Sequence, residues 1–98
     1  MVYTYASPRV GDHFFAHSYN SNIDTSFRII NTQDLVPKMP PPFPMPYQHV
    51  DMEMDLTPPD GKLKDTIPCN HHLTSYLWLM DQLVGGVNGS QIDADCKM

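Results

Sequence analysis

Two groups of residues in this chain have types that could do proton chemistry together. The first is Asp34, near the end of the stretch Ser26 to Pro37 (SFRIINTQDLVP), shortly after a run of apolar residues. The second is the neighbouring pair His71 and His72, placed just before Leu73-Thr74-Ser75-Tyr76. A histidine whose ring is oriented by a carboxylate is a general base. Six serines, Ser7, Ser18, Ser21, Ser26, Ser75 and Ser90, are candidates for the hydroxyl such a base would activate. None lies in a Gly-x-Ser-x-Gly elbow. Ser7 is followed by Pro8, which has no N–H to donate to an oxyanion. On residue types alone, a surface turn carboxylate and a solvated histidine on a first helical turn remain the plainer alternative.

The elements that must position these groups follow from periodicity. Phe27 and Ile29 point to one side of a strand, Arg28 and Ile30 to the other. Pro37 cannot extend the ladder. In open α/β sheets, functional groups sit just outside the carboxyl ends of strands, which is where Asp34 falls. Upstream, Val2 to Tyr5 (VYTY) reads as a strand and Gly11 to Tyr19 as a short helix, with Asp12 as N-cap and Phe14 and Phe15 as its apolar side. Strand, helix, strand in this order implies a parallel pair. Gln48 to Leu56 alternates, with Val50, Met52, Met54 and Leu56 toward a core and His49, Asp51, Glu53 and Asp55 away from it. A final helix is expected over about Asn70 to Val84, capped by Asn70 and stopped by Gly85-Gly86. Its core face is read as Leu73, Tyr76, Leu77, Met80, Leu83 and Val84. That frame puts His71 and His72 on the helix's first turn, where the positive end of the dipole favours a neutral imidazole.

Between the strands lies Lys38 to Tyr47 (KMPPPFPMPY), half of it proline, which reads as a stiff loop. Its P-x-x-P spacing would also suit a polyproline-binding partner. Composition narrows the class further. The chain has 98 residues, 41% hydrophobic, with 6 Lys and Arg against 11 Asp and Glu for a net charge of −5. That size suits one small domain, and the acidic balance supplies no footprint for nucleic acid. No run reaches the roughly 20 apolar residues of a membrane-spanning helix. Cys69 and Cys96 are too few for a disulfide framework, and the sequence leaves open whether they pair. His13 and His17 lie one turn apart but have no third ligand nearby, so neither a metal nor another cofactor is called for. Asn88-Gly89-Ser90 matches a glycosylation sequon within what reads as a polar tail, residues 87–98.

Four segments in order, VYTYASPRVGD, RIINTQDLVPKMPP, PYQHVDMEMDL and HHLTSYLWLMD, resemble the C-terminal half of class 3 (fungal-type) lipases. The resemblance implies that residues 1–86 are the C-terminal portion of an α/β-hydrolase fold, an incomplete, mostly parallel sheet with flanking helices. It implies carboxylic ester hydrolysis, with an acylglycerol or similar lipid as substrate. It makes Asp34 the triad acid and His71, or alternatively His72, the triad base. His71, Leu73 and Tyr76 match the H-x-L-x-x-Y pattern of plant-type members, whereas fungal members place the histidine directly before a leucine, as His72 precedes Leu73. By the same pattern the nucleophile elbow lies upstream of Met1, and the chain is expected to be a C-terminal piece of a longer enzyme. Met39, Phe43, Met45 and Tyr47, close behind Asp34, are candidates for an apolar rim near the acyl chain. A non-catalytic remnant presenting 38–47 to a partner is the rival reading. With neighbouring strands missing, the isolated chain is expected to be marginally stable or to self-associate through open sheet edges.

Overall fold

A computed structural model describes residues 1–44 and 46–98. Three parallel strands, β1 (Val2–Tyr5), β2 (Ser26–Asn31) and β3 (Met52–Leu56), form one sheet in the order β1-β2-β3. Tyr3 pairs with Phe27 and Ile29 with Met54, so the two-residue alternation of β2 is carried across all three strands. Phe27, Ile29 and Asn31 face one layer, where Ile29, Leu56, Tyr76 and Leu79 close the main core. Fully burying side chains of this size contributes about 1.5–3 kcal/mol each. The result is a small open parallel sheet with flanking helices, a partial α/β fold.

Helix α1 (His13–Asn22) connects β1 to β2 and is capped by Asp12, whose carboxylate accepts the Phe15 N–H at 3.0 Å. The side it buries differs from the expectation. Phe14 and Phe15 are exposed and Ala16 is the buried residue. Gly11 explains the close approach at this end, since a Cβ there would lie 2.7 Å from the Phe15 side chain. The Tyr19 hydroxyl meets Ser26 Oγ at 3.0 Å and ties the helix to the start of β2.

Two expected elements are redrawn. The alternating stretch from Gln48 is strand only from Met52 onward, and within it Met52 is exposed, Met54 half-buried and Leu56 buried. The residues before it are held instead by the loop. His49 bonds the Pro37 carbonyl, and Arg28 of β2 bonds the Val50 carbonyl while its guanidinium lies 3.6 Å from Glu53. The final helix is two helices, α2 (Ile67–His71) and α3 (Leu73–Leu83), broken at His72, whose backbone is extended (φ −68°, ψ 138°). Thr66 caps α2, and Asn70 is one of its buried residues and not a cap. With the helix restarted at His72, the buried line of α3 is Ser75, Tyr76 and Leu79, while Leu73, Leu77, Leu83 and Val84 are exposed. The Ser75 hydroxyl donates to the Cys69 carbonyl at 2.7 Å and fixes this rotation.

The last residues also depart from a polar tail. Ile92 and Cys96 are buried with Leu63 and Cys69 in a second core cluster, against which Trp78 packs. Cys69 and Cys96 form a disulfide. Lys64 N–H donates to the Cys96 carbonyl at 2.9 Å and Asp93 N–H to Thr74 Oγ1 at 3.0 Å, so the segment is fastened beside α2 and α3.

Candidate active site

The end of β2 is built to hold a carboxylate. Asn31, its last residue, is fully buried on the core face, and its side-chain oxygen accepts the Gln33 N–H at 3.0 Å. Its backbone carbonyl accepts the Asp34 N–H at 2.9 Å. These two bonds turn the chain so that the Asp34 side chain points inward, with no exposed surface. Burying an ionised carboxyl is costly unless its oxygens find donors. Asp34 Oδ1 accepts the Val36 N–H at 3.0 Å, while Oδ2 accepts from the Tyr76 hydroxyl at 2.6 Å and meets His71 Nδ1 at 2.9 Å. The alternative of a surface turn carboxylate is therefore not what the fold contains.

The histidine is delivered by α2. The Asn31 side-chain amide donates to both the carbonyl and the side-chain oxygen of Asn70, each at 3.1 Å, and Asn70 in turn donates to Asp65 at 2.8 Å. This chain of amides locks the end of α2 to the end of β2, and His71 is the next residue. Its side chain is 44% exposed. With Nδ1–H directed at Asp34, Nε2 is the nitrogen left to accept a proton from outside.

The placement of His71 differs from the sequence expectation in one respect. It is the last residue of α2 and not a first-turn residue of the final helix. The residue at a helix N-terminus is His72, the N-cap of α3, whose Nδ1 accepts the Thr74 N–H at 3.2 Å and lies 2.9 Å from Thr74 Oγ1. His72 is thus engaged in capping, and Asp34 is bonded to His71. The Cys69 sulfur, close in sequence to both histidines, is in the disulfide and so is not a thiolate. Among the described residues no group of three or more His, Cys, Asp and Glu side chains is placed to hold a metal.

The proposed rim residues are not gathered at this pair. Phe43 is 85% exposed, and the Met39 carbonyl accepts the Arg9 N–H at 2.8 Å. Arg9 also bonds the carbonyls of Lys38 and Pro40 and pins the start of the proline-rich loop. Tyr47 lines a separate groove of about 460 Å³ with Val10, Gly11, Asp12, Pro44 and Pro46. Met45 lies outside the described residues. The cavity that does reach Asp34, about 250 Å³, is lined by Pro37, Lys38, His49 and Arg9 among others. Burial holds the His49 imidazole below its usual range, with Arg28 and Arg9 adding to the effect against the opposing pull of the Pro37 carbonyl.

Three residues that support the pair, Asn31, Asn70 and Tyr76, were not singled out for that role by the sequence. Asn31 carries a usable signal, since it is a polar residue on the apolar face of a strand, three positions before the acid. Tyr76 is marked only as the tyrosine of the H-x-L-x-x-Y pattern, and Asn70 carries no signal until α2 and α3 are docked.

The chain is thus a partial α/β fold, an open parallel sheet with a buried carboxylate outside its central strand that is hydrogen-bonded to a part-exposed histidine. Residues 1–43, which include Asp34, match the family described as lipase (class 3). A 52-residue stretch, 53% of the chain, is 38% identical to a secreted mono- and diacylglycerol lipase of Fusarium solani. That stretch covers 15% of the relative's length, so the chain spans only a small part of it. Both matches point to class 3 lipases as what these parts of the chain are similar to.

Proposed function

We propose that this chain supplies the acid and base of a Ser-Asp-His triad in a carboxylic ester hydrolase acting on acylglycerols. The observation that supports this reading is the 2.9 Å contact of His71 Nδ1 with the fully buried Asp34. Asp34 fixes the imidazole tautomer and stabilises the imidazolium, and His71 Nε2 takes the proton of a serine as that serine attacks the ester carbonyl. His71 then returns the proton to the departing alcohol. The serine comes from sequence outside these 98 residues, on a Gly-x-Ser-x-Gly elbow. Partial glycerides are the proposed substrate class because the Fusarium relative is described as a mono- and diacylglycerol lipase.

The test is ester hydrolysis by a longer product of the same locus that includes an in-frame elbow upstream of Met1. Asp34→Asn in that protein is expected to lower kcat by about 10⁴ through the wrong imidazole tautomer. A loss smaller than about tenfold removes Asp34 from the triad, and an upstream sequence without an elbow removes the hydrolase reading altogether.

A further inference from the structure

One motif of the sequence is not absorbed by the site. Asn88-Gly89-Ser90 satisfies N-x-S, whereas Asn20, Asn22, Asn31 and Asn70 have no Ser or Thr two residues on. The structure puts this sequon in the turn that follows α3, with Asn88 exposed. Gly89, at φ +68°, supplies the left-handed backbone that the turn needs. The turn is rigid at its backbone and open at its side chain. The buried Asp81 carboxylate accepts the N–H groups of Asn88 at 3.0 Å and Ser90 at 3.1 Å. Those donors, Asn88 first, hold the Asp81 carboxyl below the usual carboxylate range.

A second observation bears on where the chain matures. Cys69 and Cys96 are joined, and such bonds form and persist in oxidising compartments, the same ones in which asparagine glycosylation takes place. The location of the turn is also permissive. It lies beyond the far end of α3 from His71, and an eleven-residue helix is about 16 Å long, so a glycan there stays clear of the Asp34–His71 pair. Leu83, Val84 and Val87 beside it are exposed, and a bulky polar modification would shield them from water-exposed association.

We propose that Asn88 is an N-glycosylation site. The donor is an oligosaccharide carried on a lipid pyrophosphate. Asn88 Nδ2 forms a bond to the anomeric carbon, the carbon–oxygen bond to the pyrophosphate breaks, and the lipid pyrophosphate leaves with the electron pair as the amide gives up one proton. The modification leaves the backbone N–H of Asn88 free to keep donating to Asp81. This inference does not depend on the triad assignment.

The experiment directs the full chain into the secretory pathway of a eukaryotic host with an appended leader. Intact mass is measured on the total lumenal and secreted pool, before and after peptide-N-glycosidase. The expected result is one enzyme-removable glycan that is lost in Asn88→Gln and in Ser90→Ala and retained in Ser90→Thr. Ser90→Thr separates loss of the sequon from loss of the fold. A pool at unmodified mass, or a glycan that persists in Asn88→Gln, overturns the proposal.

Discussion

Replacing Tyr76 with phenylalanine removes one oxygen from the centre of the molecule and leaves the ring that packs edge-on against Tyr5. That oxygen donates to Asp34 Oδ2 at 2.6 Å and accepts the Asn31 N–H at 3.0 Å, and all three residues are buried. A hydrogen bond to a charged group contributes about 1.5–3 kcal/mol. Leaving the Asn31 N–H without an acceptor costs a further ~1–3 kcal/mol. Because the two effects share one atom they do not add in full, and a net loss of about 3 kcal/mol is expected. Against a total stability of roughly 5–15 kcal/mol for a domain, this lowers Tm by roughly 12–24 °C. Thermal and urea unfolding of Tyr76→Phe beside wild type give the value, with Tyr5→Phe as an exposed control expected to stay within about 0.5 kcal/mol. The same pair of proteins differs at alkaline pH. Burial, with help from the Asp34 carboxylate, raises the Tyr76 hydroxyl well above its ordinary 10.0, so the unfolded chain loses this proton before the folded one does. Wild-type stability therefore falls as pH rises past about 10, and Tyr76→Phe lacks that part of the decline. A loss below about 1 kcal/mol, with an unchanged alkaline slope, would refute the view that Tyr76 organises the carboxylate.

Two further outcomes are expected. The Cys69–Cys96 bond closes a separation of 27 residues, for which chain entropy gives about 3.6 kcal/mol. The double variant Cys69→Ser/Cys96→Ser should lose stability of that order in urea unfolding, and a change under about 1 kcal/mol would show that the C-terminal segment is held by Ile92 and its hydrogen bonds alone. His49 is held below its usual 6.5 in the folded chain, chiefly by burial, so the unfolded chain binds the proton first as pH falls. Stability is lost on acidification below about pH 6.5. His49→Gln should flatten that limb of the pH–stability curve, and an unaltered slope would show that the acid sensitivity lies elsewhere.

How much of this was legible depends on whether the signal is local. The strand over β2, the N-cap Asp12 and the placement of Asp34 beyond a strand end all follow from short-range patterns, and each is found in the structure. The apolar stripe expected for the last helix is not the buried one because the chain has two helices there. Pro68 sits in the first turn of α2, where its missing N–H does no harm, and His72 breaks the run four residues later. Once the phase restarts at His72, Ser75, Tyr76 and Leu79 turn inward, and Leu73, Leu77 and Leu83 turn out. A period of 3.6 residues identifies a helix but carries no mark of where a second helix begins. Phe14 and Phe15 misled for a related reason. Hydrophobic residues are common on surfaces, and the small Ala16 is the residue that α1 buries.

The choice between His71 and His72 shows what sequence by itself determines here. It supplies the acid, two adjacent histidines, the strand that ends near the acid and the family pattern that links them. Adjacent residues share composition, motif and helical neighbourhood, so no local rule separates them. The separation is made by side chains that meet across the fold. Asn31 binds Asn70 and brings the end of α2 to the end of β2, which sets His71 Nδ1 against Asp34. The break one residue later turns His72 away to cap α3. The disulfide is decided in the same way, since two cysteines in a sequence are only candidates until the docking of residues 92–96 brings their sulfurs together. Hydrogen-bond geometry depends on positions in space, and residues up to 45 apart in the chain, as Asn31 and Tyr76 are, acquire those positions only when the elements pack.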